Sequence, residues 1–407
     1  MSFISVVNKV LSKVKPSPAE RDRLSNIVRR VSSLIKDSLL NNGISAEVVP
    51  GGSFARGTFL HGAHDVDFFI RHKDPADLES FPRVVLDAFP EAVRVEGSRT
   101  YFRASHGDYE LEFVPTLLID DPSDALNSMD ASFFHISYVN SRLDNALRDQ
   151  VLLFKQFAKA CGVYGAESHI SGFSGYVIEL LMLRFKRFKR FLEFLDQGNN
   201  ELFLDLEGFY DSVSKAYTAL KVNRSLTPVV VVDPVLPTRN AAAALSRESF
   251  DKFLLQARLF LRGPSESFFT VKEPLISDLT SLARDRGHPF FTYSFKVSGK
   301  RDVFFAKLAR SLRLVKARLE RHGFVVYDHG FLSDGTVYFE LVRDVLPLTK
   351  RVIGPPVSID SAHFNAFISR DAVNGPYVFN GRVCFDVARE HTRAKPLLLK
   401  LLKGIEF

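Results

Sequence analysis

Residues 51–70 are the part of the sequence that most restricts what this chain can fold into. They begin with a Gly-Gly-Ser turn signal and end with an apolar run that contains Asp65 and Asp67. The aromatic and β-branched residues of that run favour a strand. Because residues two apart in a strand point to the same face, both carboxylates project to one side, and the residue between them projects to the other.

Glycines followed by paired carboxylates indicate chemistry at a phosphate. Two carboxylates a few ångströms apart repel one another unless a cation lies between them, and hard oxygen ligands suit Mg²⁺. Gly51 and Gly52 allow backbone N–H groups to approach an anion, and a helix start after them adds its positive dipole end. Either motif alone is more often a plain turn or a strand without a metal, but their joint occurrence predicts phosphoryl or nucleotidyl transfer.

Length and composition limit the class of protein. A chain of 407 residues allows two or three domains, each with its own core. The net charge of +7 favours a polyanionic partner, although so modest an excess is also compatible with plain solubility. Cys161 and Cys384 have no zinc spacing and are too few for a disulfide framework, which favours a reducing compartment. Because neither a signal-peptide core nor an apolar run of membrane-spanning length is present, we expect a cytoplasmic protein without membrane contact.

The periodicity of apolar residues predicts the elements around the first motif. Ser17 and Glu20 form a capping box for a helix that ends at Gly43. The pattern then predicts a strand at 46–49, a helix at 76–89, and strands at 92–95, 101–104 and 109–115. A polar connector follows at 120–145, and helices follow from 147 to about 195. A buried strand begins at 227, and its Pro-bounded end precedes an alanine-rich helix.

The last third of the chain predicts a β-α-β-β module, with strands at 290–297, 324–327 and 336–342 and a helix at 302–322. The polar face of that helix is strongly basic, with the single acid Glu320 in its last turns. A solvated face is the default for such a charge run, and contact with RNA phosphates is at least as favoured. The basic segment 184–190 leaves the same two alternatives open.

The first motif also resembles that of a known family. Residues 52–60, Gly-Ser-Phe-Ala-Arg-Gly-Thr-Phe-Leu, and Asp65-Val66-Asp67 after them resemble the signature of the polymerase β-type nucleotidyltransferases. Within these, the chain looks most like the archaeal-type (class I) CCA-adding enzymes, with further similar blocks at 109–115, 147–181 and 227–260. The resemblance implies an enzyme that adds C, C and A to the 3′ end of tRNA from CTP and ATP, without a nucleic-acid template.

An α+β fold follows from this resemblance. We expect a mixed-sheet nucleotidyltransferase (palm) catalytic domain at 1–138, a central helical domain for nucleotide and tRNA binding at 139–262, and a C-terminal α+β tRNA-binding region at 263–407 that includes the β-α-β-β module. The expected partner is tRNA, bound through its acceptor stem and 3′ end, and a homodimer is an open expectation.

Three acidic residues are the catalytic metal ligands that the resemblance implies. Asp65 and Asp67 would hold two Mg²⁺ ions, and the family has a third carboxylate two residues before a Val-Val-Pro-like ending. Here that position is Glu112, followed by Phe-Val-Pro, where the family has an Asp. An acid on a strand is by default solvent-facing, and Glu112 is preferred to Glu110 because it matches the motif residue by residue.

The resemblance implies a further set of nucleotide-binding residues, namely Gly52, Ser53, Arg56, His135, Lys155, Tyr164 and Arg239. The phosphates would be held by four of these residues: Ser53, Arg56, Lys155 and Tyr164. Arg239 would contact the edge of the incoming base, because the rigid fork of a guanidinium suits planar acceptors. From the residues alone, a core histidine, a snorkelling lysine and a helix-start arginine would be the ordinary interpretations.

Two rival functions remain open at this stage. A poly(A) or oligoadenylate polymerase of the same superfamily would share residues 51–67, and it would extend RNA indefinitely with one nucleotide. A non-catalytic RNA-binding scaffold would bind tRNA equally well after Asp65→Ala or Asp67→Ala. The three clustered acidic positions speak against the scaffold, since clustered carboxylates are costly to keep without a cation.

Overall fold

The computed structural model describes residues 2–63, 65–96, 99–199, 201–223, 227–299, 301–359, 362–369 and 371–406. The chain divides into two compact units, Met1–Lys272 and Glu273–Phe407. Each unit has its own sheets and its own hydrophobic core.

The first unit contains the larger share of the elements. Its helices are α1 (Phe3–Val14), α2 (Pro18–Asn41), α3 (Gly52–Ala55), α4 (Phe81–Ala88), α5 (Ser132–Asn140), α6 (Asn145–Ala160), α7 (Gly175–Phe185), α8 (Phe188–Asp196), α9 (Val213–Ala219) and α10 (Arg247–Arg262). Its strands are β1 (Ala46–Pro50), β2 (Asp65–His72), β3 (Val93–Val95), β4 (Tyr101–His106), β5 (Tyr109–Leu117), β6 (Leu202–Leu204) and β7 (Val229–Val231). Short 3₁₀ helices lie at Pro75–Glu79, Pro122–Asp124 and Glu266–Phe269.

A five-stranded mixed sheet in the order β1-β2-β5-β4-β3 organises the first part of this unit. β2 and β5 run parallel, and the remaining neighbours are antiparallel. On one face, α2 and α4 pack their apolar stripes onto Val66, Phe68 and Ile70. The predicted cap of α2 is confirmed, because the side chain of Ser17 accepts from the Glu20 N–H at 3.2 Å.

The opposite face of this sheet carries the acidic residues. Phe69 and Val114 on this face form a small buried cluster with Ile136 of α5. Because side chains alternate along a strand, Asp67 shares its face with Phe69, and Glu112 shares its face with Val114. The sheet therefore directs both acidic side chains towards the side on which α5 packs.

Three of the predicted elements differ from the structure. The stretch 120–145, predicted to be a polar connector, contains α5, whose apolar residues have too little helical periodicity to be recognised. The predicted helix at 76–89 is divided into a 3₁₀ turn and α4. The alanine-rich segment forms turns, and α10 begins only at Arg247, because Asn240 Oδ1 accepts from the Val231 and Ala242 N–H groups, each at 3.0 Å.

Phenylalanines form the core of the helical part of the first unit. Phe154 of α6 stacks on Phe191 of α8, with ring centroids 5.0 Å apart, and contacts Phe253 of α10 at 5.1 Å. A side chain of this size stabilises the fold by about 1.5–3 kcal/mol when fully buried. The helices predicted from 147 to about 195 are therefore held together by one aromatic core.

The second unit has two three-stranded sheets. Its elements are α11 (Ile276–Asp285), β8 (Phe290–Ser294), α12 (Arg301–Arg321), β9 (Val326–Phe331), β10 (Thr336–Leu341), β11 (Thr349–Pro356), α13 (Ala362–Ile368), β12 (Asn374–Phe379), β13 (Arg382–Ala388) and α14 (Ala394–Lys403). The sheets have the orders β8-β10-β9 and β11-β13-β12. The predicted β-α-β-β module is confirmed, and Leu308, Leu312 and Leu319 of α12 are buried against its sheet.

No helix in the described part of the chain has both the length and the apolar character that a membrane span requires.

Candidate active site

The register of two parallel strands brings the acidic residues together. Asp67 of β2 lies opposite Glu112 of β5, and Asp65 lies opposite Glu110. Neighbouring strands are roughly 4.8 Å apart, so side chains that face the same way at paired positions are in each other's immediate surroundings. Asp65 is exposed, while Asp67 and Glu112 are half-buried.

The electrostatics of this pair favour a cation. Burial, together with the neighbouring carboxylates of Glu112 and Asp65, raises the pKa of Asp67 to about 6, and Arg56 acts against this rise. A carboxylate that its neighbours push towards the neutral form gains stability when a positive charge arrives. The donor set consists of hard carboxylate oxygens, so these residues fit a divalent metal ion.

The glycine turn lies directly against the acidic strand. The Gly51 N–H donates to the backbone oxygen of Asp67 at 2.7 Å. Gly52 has a φ of +56°, and a Cβ placed there would lie 1.6 Å from Asp67 Oδ2. Any larger residue would thus displace the carboxylate. Ser53 follows in α3, at the same end of the strand.

Arg103 of β4 is a residue at this site that sequence reasoning missed. It pairs with Glu112 across the antiparallel β4–β5 register, and its Nε donates to Glu112 Oε1 at 3.2 Å. A second bond from Nη2 reaches the same oxygen. Only the sheet register identifies this pair, because nothing in the local sequence around Arg103 indicates which strand it faces.

Arg56 and Lys155 meet at a buried carboxylate, Glu179 of α7. Arg56 Nε lies 2.7 Å from Glu179 Oε2, and Lys155 Nζ lies 3.6 Å from Oε1. Lys155 also donates to the backbone oxygen and the hydroxyl of Thr58, at 2.9 and 3.0 Å, and that hydroxyl donates to Glu179 at 2.6 Å. Burial lowers the pKa of Lys155 to about 8, although Glu179 opposes the shift. Both cations are therefore engaged with partners inside the protein.

Tyr164 and Lys159 lie near this cluster. A Cβ at Gly175 would be 3.3 Å from the Tyr164 hydroxyl and 3.4 Å from Lys155 Nζ, so these two groups are neighbours. Lys159, one turn after Lys155 on α6, is exposed and lies 5.4 Å from the centroid of the Tyr164 ring. Desolvation of its amine by the surrounding protein lowers the pKa of Lys159, and the negative charge of Asp65 opposes the shift, so the two groups are within electrostatic range of each other. Its i+4 spacing from Lys155 was the signal that could have identified it.

His135 and Arg239 meet at a second buried carboxylate, Asp233. His135 Nε2 lies 3.0 Å from Asp233 Oδ2, and Arg239 Nη1 donates to the same oxygen at 2.5 Å. The Tyr176 hydroxyl donates to Oδ1 at 3.1 Å. Sequence reasoning proposed His135 and Arg239 but missed Asp233 and Tyr176.

The predicted residues thus form two neighbouring groups in the first unit. One group surrounds Asp67, and the other surrounds Asp233. Tyr176 connects them, because its hydroxyl bonds to Asp233 and the charge of Glu179 also acts to raise its pKa. Glu179 in turn holds Arg56, whose charge acts on Asp67.

A mixed sheet with paired acids beneath a glycine turn defines a nucleotidyltransferase, and three family models agree. A nucleotidyltransferase domain matches residues 28–113, the second domain of tRNA nucleotidyltransferase matches residues 149–270, and the C-terminal domain of the CCA-adding enzyme matches residues 286–404.

Curated relatives identify the family more narrowly. The chain is 31% identical to a CCA-adding enzyme of Methanosarcina barkeri, over 96% of this chain and 87% of that protein. It is 32% identical to a CCA-adding enzyme of Methanothermobacter thermautotrophicus, over 97% and 87% of the two chains. The chain therefore belongs to the archaeal-type CCA-adding enzymes.

Solved structures with the same fold cover two thirds of this chain. A poly(U) polymerase mutant bound to MgATP aligns with a TM-score of 0.52 at 14% identity, over 66% of this chain and 99% of the other. A cytoplasmic RNA terminal U-transferase aligns with a TM-score of 0.50 at 15% identity, over 67% and 99%. At these identities the likeness concerns the fold alone.

Proposed function

We propose that this enzyme adds CCA to the 3′ end of tRNA at a site centred on Asp65, Asp67 and Glu112. The reaction itself follows from the family. The site is supported above all by the β2–β5 register, which pairs Asp67 with Glu112 beneath Gly52. Nucleotide substrates and a divalent metal accompany this chemistry in nucleotidyltransferases.

The metal in this proposal is Mg²⁺, as two ions. Asp65, Asp67 and Glu112 would hold them, and the ions would supply activation of the tRNA 3′-hydroxyl and neutralisation of the charge on the leaving pyrophosphate. The protein's own contribution is to fix the three carboxylates on two adjacent strands. Arg103 donates to the carboxylate at the end of the longer Glu112 side chain, which orients that carboxylate before a cation arrives.

Phosphate binding is proposed for the glycine turn and the lysine-tyrosine cluster. Gly52 and Ser53 offer backbone N–H groups beside Asp67, and the Tyr164 hydroxyl lies next to the buried cluster around Lys155. Because Lys155 and Arg56 are already bonded to Glu179, they contribute a fixed positive potential at the phosphates.

Base selection is proposed for Arg239, with His135 beside it. The side chain of Arg239 is 39% exposed, so part of its donor fork is accessible to a nucleotide. The remaining predictions stand with this proposal: the three-domain division at 138/139 and 262/263, binding of the tRNA acceptor stem by the central and C-terminal regions, a homodimer, and a cytoplasmic location.

The test incubates the protein and Mg²⁺ with tRNA that lacks its last three nucleotides. Labelled CTP and ATP are added separately and together, and the products are sized. The proposal predicts two additions with CTP alone and a stop after three with both nucleotides. A ladder of many adenylates would favour the poly(A) polymerase, and unextended tRNA that is still bound would favour the scaffold.

A further inference from the structure

Asp233 is a buried carboxylate that lies outside the acidic pair of the sheet. It follows β7, and its residue is 0% exposed. Its Oδ2 accepts from Arg239 Nη1 at 2.5 Å and lies 3.0 Å from His135 Nε2. Its Oδ1 accepts from the Tyr176 hydroxyl at 3.1 Å and from the Val235 N–H at 3.0 Å. Both carboxylate oxygens are thus occupied by donors.

These donors keep Asp233 ionised. Burial acts to raise its pKa, but the hydrogen bond and charge of His135, the Val235 N–H and the bond from Arg239 outweigh burial and lower the pKa to about 2. A buried carboxylate of this kind is an oriented negative charge whose partners cannot turn away without leaving it unpaired.

The partners of Asp233 come from separate elements of the first unit. His135 lies on α5, which packs through Ile136 on the sheet face that carries Asp67. Tyr176 lies on α7, three residues before Glu179. Asp233 therefore joins the base-selecting candidates to both the catalytic sheet and the helical core.

Arg239 is a charged member of this group that is partly open to solvent. Its side chain is 39% exposed while Asp233 has no exposure. A guanidinium has five N–H donors in one rigid plane, so a bond from Nη1 to a fixed carboxylate sets the plane of the remaining donors. Without such an anchor, an arginine side chain loses rotamer entropy each time it is ordered on a nucleotide.

We propose that Asp233 is the positioning residue for nucleotide choice: it holds the Arg239 guanidinium in the orientation that distinguishes CTP from ATP. This inference rests on the proposed contact of Arg239 with the base. It adds that the choice is lost when the carboxylate is lost, even though Asp233 itself does not touch the nucleotide.

Asp233→Asn keeps the shape of the side chain and removes its charge. The measurement is kcat/KM for CTP and for ATP on tRNA that lacks three nucleotides and on tRNA that lacks only the last one. We expect the preference for the correct nucleotide to fall by about tenfold or more, as when a donor to a base is misplaced. Arg239→Ala is expected to lower the preference similarly, and the double variant is expected to be no worse than Arg239→Ala, since the two residues act as a unit.

Asp130→Asn is a matched control. Asp130 is also a buried aspartate that pairs with an arginine, Arg99, at 2.5 Å, and it accepts from the Leu117 N–H at 2.9 Å. Asp130→Asn also removes a buried negative charge from the first unit, but it leaves Arg239 bonded to Asp233. We expect Asp130→Asn to lower stability without changing the CTP-to-ATP preference.

The outcomes separate this inference from the proposed function. If Arg239→Ala changes the preference and Asp233→Asn does not, the positioning role is wrong and the base contact stands. If Arg239→Ala leaves the preference unchanged, the base contact itself is wrong. Equal losses for both nucleotides, or losses that multiply in the double variant, would also overturn the positioning role.

A second substitution covers the case in which Asp233→Asn does not fold. Asp233→Glu keeps the charge and moves the carboxylate by one methylene group. A preference that falls by a smaller factor than in Arg239→Ala supports the inference, and an unchanged preference in folded Asp233→Glu overturns it.

Discussion

The surroundings of the Asp67 side chain oppose its ionisation. Its pKa is raised to about 6 by burial and by the carboxylates of Glu112 and Asp65. Gly52 presses against it, so that even a methyl group there would overlap Oδ2. Residues this tightly coupled are expected to tolerate no change in shape.

Gly52→Ala is predicted to lower kcat by about a hundredfold, since displacement of a catalytic group by roughly 1 Å has that effect. Gly62→Ala is the matched control. Gly62 also has a positive φ, +70°, but a Cβ there would meet nothing within 4 Å. Steady-state kinetics on the two variants separate the clash from backbone strain, and equal kcat values would contradict the role of Gly52.

The buried ring of His72 is expected to make the stability of the folded protein depend on pH. It ends β2 with 0% exposure, and neither ring nitrogen has a hydrogen-bond partner among the described residues. Burial lowers its pKa to about 4, from 6.5. The folded protein therefore keeps the ring neutral while the unfolded chain binds a proton, so stability falls as the pH decreases from about 6.5 towards 4.

His72→Leu is expected to flatten that part of the stability curve. The group's contribution is on the order of 3 kcal/mol between these two pH values. Denaturant unfolding at pH 7.5 and pH 4.5 measures it, with the wild type as reference. A variant that loses as much stability on acidification as the wild type would exclude His72 as the cause.

At the scale of elements, Glu179 joins the turn after α3 to α6 and α7. It accepts from Thr58, and it pairs with Arg56 and Lys155. Removing one member of a buried charged cluster leaves its partners uncompensated, which destabilises by about 3–5 kcal/mol.

Glu179→Gln is therefore predicted to lower the free energy of unfolding by about 3–5 kcal/mol in urea titrations. Glu193→Gln serves as the control, because Glu193 forms an exposed pair with Lys189, at 3.3 Å on α8. Such helix pairs contribute about 0.3–0.5 kcal/mol. Similar losses in the two variants would show that the buried cluster has no special role.

Elements with strong local patterns could be predicted from the sequence, and those that depend on distant partners could not. α2 and α12 have capped or periodic apolar stripes and were predicted correctly. α5 was missed because its buried residues face more than one neighbour: Ile136 packs on the sheet, Val139 packs in the helical core and His135 bonds to Asp233, which removes the one-sided apolar pattern. Helix propensity predicts a helix for the alanine-rich segment, but it does not include the two bonds that Asn240 Oδ1 accepts there.

The candidate site shows the same division. Gly52, Asp65 and Asp67 lie within one short stretch, so local spacing was enough to propose them. Glu179 and Asp233 bond to residues 121 and 98 positions away, and no local pattern indicates such partners.

At the scale of the whole molecule, the excess of positive charge is expected to favour the binding of tRNA, which is a polyanion. The net charge is +7, and the exposed face of α12 in the second unit includes Arg310 and Arg313. Each cation that neutralises a phosphate releases a counterion and makes binding more sensitive to salt.

Arg310→Gln with Arg313→Gln is predicted to weaken tRNA binding and to reduce the slope of log Kd against log salt by about 2. Lys252→Gln is the control, since Lys252 is paired with Glu248 at 2.8 Å on α10. The slopes are measured by fluorescence titrations at salt concentrations between about 50 and 200 mM, where phosphate contacts change the affinity strongly. An unchanged slope would show that the basic face of α12 is solvated and does not contact tRNA phosphates.

The most direct measurement of the central claim compares CCA addition and tRNA binding in four variants: Asp65→Asn, Asp67→Asn, Glu112→Gln and Glu110→Gln. The first three are predicted to lose about a thousandfold or more in kcat with labelled CTP, while their Kd for tRNA stays near that of the wild type. Glu110→Gln is predicted to remain close to wild type, because the Glu110 carboxylate accepts from the Ser105 hydroxyl at 2.9 Å and the register places it one same-face position away from Asp67. Undiminished activity in Asp67→Asn, or a loss in Glu110→Gln as large as in Glu112→Gln, would contradict the proposed site.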